Sequence, residues 1–105
     1  MISPVQPQPE FVLVPEQLAV RIADQEFVLT RIQFRILAVL AGEPGRVFHR
    51  PELVVRCIGT LVEDRTVDVH IKDLRRRLGQ QGSRIETVRG VGYRLSELPP
   101  LSECA

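Results

Sequence analysis

The chain has no tryptophan, one tyrosine, one methionine and two cysteines among 105 residues. Cys57 and Cys104 stand far apart, the first inside an expected helix and the second near the end, so they resemble neither a disulfide framework nor a metal site. Two ordinary thiols are expected. Long apolar runs are missing too: the stretch Ile36 to Ala41 is far too short to span a bilayer. The first residues lack the charged-then-apolar pattern of a secretory signal, so a cytoplasmic protein without a membrane segment is expected. The constellations of catalysis are absent as well, with no nucleophile beside a base, no metal-ligand cluster and no phosphate-binding glycine loop before a helix. The chain is therefore not expected to be an enzyme, and it needs no cofactor or metal.

What is present fits one small domain with one core, given the length and the 44% apolar content. The formal net charge of +1 hides an uneven distribution. Up to Asp64 there are six arginines against eight acids, a balance of −2. From Arg65 to Arg94 there are eight cations against three acids, a balance of +5. Cations gathered in one third of the chain favour a polyanion-binding face on an otherwise neutral body, because nonspecific affinity for nucleic acid grows with the number of cations that reach phosphates together.

Residues 1–9, with prolines at 4, 7 and 9, read as a flexible leader or linker, and residues 97–105 as a disordered tail, leaving 10–96 as the folded domain. Phe11–Val14, Leu18–Ile22 and Phe27–Leu29 are expected to form three antiparallel strands, separated by Pro15-Glu16-Gln17 and Ala23-Asp24-Gln25. Such a meander must pack on a helix to persist in water. Thr30 to Gln33 has the pattern of a capping box and opens a strongly apolar helix, which Gly42 and Pro44-Gly45 should end through a left-handed cap and a turn. Arg46 to His49 can extend briefly. A second helix should start near Pro51 and stop at Gly59.

The third helix, about 64–78, has two unlike faces. Val67, Ile71, Leu74 and Leu78 make an apolar stripe, while Arg65, Val69, Lys72 and Arg76 lie opposite, with Thr66 and Asp73 at the edge. Glu63 or Asp64 is placed to cap it and Gly79 to close it. A valine among exposed cations suits a surface meeting both phosphates and base edges, since thymine presents a methyl group in the major groove. The helix by itself is equally a solvated surface helix with a stray valine. Helix, short connection and basic amphipathic helix is nevertheless the order of a helix-turn-helix. After the polar turn from Gly79 to Ser83, Ile85–Arg89 and Tyr93–Leu95 flank a glycine-containing loop, which predicts a β-hairpin with Arg89 at its tip.

Several motifs occur in one order: Leu29-Thr30 with Gln33-Phe34 and Leu37; Pro44-Gly45-Arg46-Val47; Glu63 to Ile71; Leu74-Arg75 and Leu78; Thr87-Val88-Arg89-Gly90 with Gly92-Tyr93-Arg94. From Phe11 to Ser96 the chain resembles the winged-helix effector domain of OmpR/PhoB-type response regulators. The resemblance implies an α+β fold, a winged helix-turn-helix with an N-terminal antiparallel sheet, three helices and a C-terminal β-hairpin wing. It further implies sequence-specific binding of double-stranded DNA for transcriptional regulation in a two-component system. On that resemblance the third helix enters the major groove, making Arg65, Thr66, Val69, His70, Lys72, Arg75 and Arg76 candidate contacts. Val69 is expected at a thymine methyl, and Arg65, Thr66, His70 and Arg75 mainly at phosphates. Arg89 is expected in the adjacent minor groove, with Thr87 on the neighbouring backbone. Tyr93 is expected to pack within the hairpin, Asp68 to favour the helix N-terminus, and His70 and His49 to be no metal ligands.

The departures carry information. Where the family often has arginine stands Asp73, which cannot donate to guanine, repels phosphate and could accept from cytosine N4. The family touches RNA polymerase through the loop between helices two and three, here the short Gly59–Val62. His49 replaces the usual serine or threonine before helix two, weakening that cap by about 1 kcal/mol. No receiver domain fits in the chain, which is then either part of a longer protein cut at its linker or a stand-alone regulator. The resemblance also implies a second copy bound head to tail on direct repeats. The competing function is a winged helix retained as a protein-interaction module, which Asp73 and the near-neutral net charge favour and the basic set disfavours.

Overall fold

In the computed structural model, residues 11–59 and 62–96 are described; the expected leader 1–9, the tail 97–105 and part of the loop between helices two and three lie outside them. Strands β1 (Phe11–Val14), β2 (Ala19–Ile22) and β3 (Gln25–Val28) form an antiparallel meander in that order. Alternation along β2 buries Val20 and Ile22 and leaves Arg21 exposed. The third strand starts two residues earlier than expected because the turn consists of Ala23 and Asp24 alone, Ile22 pairing directly with Gln25. Ala23 takes a φ of 55°, as such tight turns require. Leu18 is not in the strand: at φ 50° it closes the 3-10 turn Pro15–Gln17.

Helix α1 (Arg31–Gly42) begins at the expected capping box. The Gln33 amide donates to Thr30 Oγ1 at 3.2 Å, and the Thr30 amide donates to Gln33 Oε1 at 3.0 Å. Its apolar face, Phe34, Ile36, Leu37 and Leu40, is buried. The expected left-handed cap at Gly42 does not form. Gly42 stays helical, Glu43 closes the helix, and the left-handed residue is Gly45, whose amide donates to the Leu95 carbonyl. That bond ties the loop after α1 to the last strand.

Strand β4 (Phe48–His49) leads into α2 (Arg50–Leu53), with His49 at the N-cap making no side-chain cap bond, as its imidazole predicts. One α turn passes into a π turn over Val54–Ile58, closed by the Gly59 amide on the Val54 carbonyl at 2.9 Å, with Gly59 left-handed at φ 84°. Helix α3 (Arg65–Leu78) buries Val67, Ile71, Leu74 and Leu78. The expected side-chain cap is absent. Asp64 has helical backbone angles, so the entry is made by main chain instead, the Thr66 amide donating to the Glu63 carbonyl.

A 3-10 stretch, Gly79–Arg84, returns the chain to β5 (Ile85–Val88) and β6 (Gly92–Leu95). The hairpin gains a third strand, because β4 pairs with β6 through Phe48 and Tyr93, giving the order β4-β6-β5. Its tip is Arg89-Gly90-Val91. One core joins Val20 and Ile22 of the first sheet, Leu37 and Leu40 of α1, Leu53, Ile71, Leu74, Ile85 and Leu95. This is a winged helix-turn-helix, with α2 and α3 as the two helices and β5–β6 as the wing.

Candidate nucleic-acid interface

Helix α3 is held on three sides and open on the fourth. Its stripe of four buried side chains is in the core. With about 100° per residue, that leaves Arg65, Val69, Lys72 and Arg76 on the far side, where all four are exposed and Val69 is 56% accessible. Burial of a helix stripe by leucine, isoleucine and valine thus fixes which side chains face outward. Thr66 and His70 are half-buried at one edge of this face.

Charges on the open face are lightly restrained. Arg65 Nε is 2.9 Å from a Glu63 carboxylate oxygen, with both side chains at least three-quarters exposed. Arg76 stands 4.0 Å from Asp73, again in solvent. Pairs of this kind contribute little and exchange readily for another anion. Among the described residues, Lys72 and Arg89 have no ion-pair partner.

One flank of α3 adjoins the start of α1. Asp73, Arg76 and Arg77 line a groove of about 640 Å³ with Val28, Leu29, Thr30 and Gln33, and His70 and Asp73 line a second of about 420 Å³. Arg77, which is not among the expected contacts, donates through Nε to the Val28 carbonyl at 2.8 Å and so ties α3 to β3. Its signal was the run Arg75-Arg76-Arg77, three cations that a helix must spread over different directions.

The other flank carries the wing. Asp68 accepts from the Tyr93 hydroxyl and pairs with Arg50 Nε at 3.2 Å. Arg50 is likewise not among the expected site residues; its place beside Asp68 arises only when α2 packs on α3. Tyr93 is buried as expected, and burial, reinforced by the bond to Asp68, pushes its phenol up to about 12. Arg75, expected mainly at phosphate, turns toward the wing instead. Its Nε and Nη2 donate to the Ile85 carbonyl at 3.0 and 2.6 Å, and Nη2 also donates to Thr87 Oγ1 at 2.7 Å. Thr87 and Arg89 both remain exposed, Arg89 at the tip.

The structure therefore brings Arg65, Val69, Lys72 and Arg76 onto one face, places Thr66, His70 and Asp73 along its edge, and sets Thr87 and Arg89 on the adjoining wing. It turns Arg75 away from the open face and onto the wing, where it is bonded to Thr87. Cys57 is fully buried, its thiol pushed up to about 11 by desolvation, and it adjoins none of these groups. Among the described residues no group of three or more His, Cys, Asp or Glu is placed to hold a metal ion, and no helix is long and apolar enough to cross a membrane.

Comparison with known proteins agrees with this geometry. Residues 24–95 match the family model described as "Transcriptional regulatory protein, C terminal". The heme response regulator HssR of Staphylococcus haemolyticus is 40% identical over 87 residues, covering 79% of this chain and 39% of that protein. The phosphate regulon transcriptional regulatory protein PhoB of Klebsiella pneumoniae is 40% identical over 88 residues, covering 80% and 38%. The chain thus spans about two fifths of the length of these relatives. The DNA-binding domain of the response regulator AdeR, solved in complex with an intercistronic region, superposes with a TM-score of 0.76 at 32% identity, covering 84% of this chain and 95% of that one. With the family model spanning β3 through β6, the chain belongs to the family of transcriptional regulatory protein C-terminal domains, the effector domains of OmpR/PhoB-type response regulators.

Proposed function

We propose that residues 10–96 form a DNA-binding domain that recognises a specific double-stranded sequence and thereby regulates transcription, α3 lying in the major groove and the wing in the adjacent minor groove. The observation that carries this reading is the open face of α3, where Arg65, Lys72 and Arg76 surround the exposed Val69, with Arg89 on the neighbouring tip. Fourteen helical residues span about 21 Å, and a B-form major groove about 12 Å wide admits a helix presenting such a face.

Each residue has a role on this reading. Val69 packs on a thymine methyl, Lys72 and Arg76 reach base edges or phosphates, and Arg65, Thr66 and His70 engage the backbone. Asp73, beside Arg76, accepts from cytosine N4 or excludes bases and phosphates that offer only acceptors. Thr87 donates to a phosphate, and Arg89 enters a narrow, A·T-rich minor groove where negative potential concentrates. No cofactor is needed. The chain acts in the cytoplasm as a regulator rather than a catalyst, and a second copy binds head to tail on direct repeats.

Selection of bound duplexes from a random-sequence DNA pool tests this directly. Enrichment of one motif with an A·T-rich flank, bound with an affinity that falls steeply and log-linearly with salt, is expected. Failure of any motif to enrich, with weak and sequence-blind binding, would contradict it and favour a protein-interaction module.

A further inference from the structure

Resting on the DNA-binding reading, we propose that Arg75 is a positioning residue: it sets the wing so that Arg89 reaches the minor groove, and it does not itself hold a phosphate. A guanidinium has five N–H donors. Arg75 Nε makes one bond and Nη2 two, to the Ile85 carbonyl and the Thr87 hydroxyl, so three of the five are spent inside the protein. Only Nη1 remains, which removes the two-pronged grip that makes arginine a strong phosphate ligand.

The bonds fall where they constrain the tip most. Thr87 of β5 pairs directly with Tyr93 of β6. Arg75 holds one end of this rung through Thr87 Oγ1, and its guanidinium carbon lies 5.6 Å from the centroid of the Tyr93 ring. Asp68 holds the other end through the Tyr93 hydroxyl. Asp68 and Arg75 are seven residues apart, two turns of α3 on the same flank. One rung of the wing is thus fastened at both ends to one helix, and beyond it only the Val88–Gly92 pair precedes the tip Arg89-Gly90-Val91.

The main chain of Arg75 is fixed as well. Gly82 approaches so closely that a Cβ there would lie 2.3 Å from the Arg75 carbonyl oxygen, so the turn after α3 is seated on that residue. The bond to Thr87 also has a chemical consequence. With its oxygen accepting from Arg75, the hydroxyl keeps its single proton for an outside acceptor, and Arg75 acts on phosphate only through Thr87.

The test combines two measurements on the full chain. First, affinities for the duplex enriched from the random pool are measured for wild type, Arg75→Lys, Arg89→Ala and the double variant. Lysine keeps the charge but not the planar fork. Expected is a loss of about tenfold for Arg89→Ala in wild type. In the Arg75→Lys background the same change should cost less than about twofold, because a tip no longer held in the groove has little to lose. Independent, additive losses, or full recovery of affinity by lysine, would overturn the proposal in favour of a direct phosphate contact. Second, backbone 15N relaxation of the free protein reports on the tip without DNA. Greater sub-nanosecond motion at residues 89–91 in Arg75→Lys, with α1 unchanged, is expected; an unaltered tip would overturn the proposal even if no duplex is ever enriched. Arg75→Met, which keeps the aliphatic stem and removes every donor, should loosen the tip further; an unchanged tip there would also contradict it.

Discussion

The Tyr93 hydroxyl donates to the Asp68 carboxylate, joining the wing's second strand to the first turn of α3. Asp68 also holds Arg50 of α2, so a single carboxylate gathers both helices of the helix-turn-helix and the wing. The relative placement of α2, α3 and the wing therefore depends on a few polar bonds above a shared apolar core.

Tyr93→Phe should lower stability by about 1.5 kcal/mol, since it removes a bond to a charged acceptor while leaving the ring in place. Urea denaturation measures this. The folded protein raises the phenol to about 12 from its ordinary 10.0, so the neutral phenol is favoured in the native state. Its contribution is complete below about pH 10 and lost as pH rises toward about 12. Buried Cys57, raised from 9.0 to about 11, adds a loss of the same sign beginning near pH 9. The alkaline decline should accordingly be shallower in Tyr93→Phe than in wild type, and the difference between the two curves isolates the tyrosine.

Gly92→Ala should be among the most damaging small substitutions. A Cβ at Gly92 would lie 1.9 Å from the Phe48 carbonyl oxygen, where the obstacle is backbone and the β4–β6 pairing must open. A cost of at least about 2 kcal/mol is expected. Gly42→Ala gives the contrast. It lies in the last turn of α1 with nothing within 4 Å of the added Cβ, and a gain of about 0.5 kcal/mol is expected from the helix preference of alanine. Denaturation midpoints of the two variants should move in opposite directions.

Asp73→Arg replaces a carboxylate 4.0 Å from Arg76 on the open face with a cation. Repeating the random-pool selection with this variant should change the preferred base at one position and leave the A·T flank intact. Salt titration should show a steeper log–log slope by about 1, one more phosphate-facing cation being available. An unchanged motif and slope would place Asp73 outside the interface.

Features set by neighbouring residues were legible in the sequence. Thr30 and Gln33 are three apart and close their box in any helix that starts there, and Val67, Ile71, Leu74 and Leu78 determine which face of α3 is left open. Local patterns misled where the backbone had another way to meet its donors. Asp64 has a capping side chain, yet its own helical angles let Glu63 and Asp64 carbonyls accept from Thr66 and Val67. Gly42 is the last residue of α1, as its position suggests, but the left-handed turn falls at Gly45, where the following loop bonds to Leu95. The orientation of Arg75 depends on acceptors 10 and 12 residues away that come near only when the wing folds back. Phe48 meeting Tyr93 is likewise long-range, and its one local trace is a glycine at 92 where no side chain fits.

Amide NMR shifts on titration with the selected duplex are the most direct test of a single DNA-binding face built from α3 and the wing. The largest shifts are expected at 65–76 and 87–91, with the 11–28 meander nearly unmoved. Shifts concentrated in β1–β3 while α3 and residues 87–91 stay still would contradict that assignment.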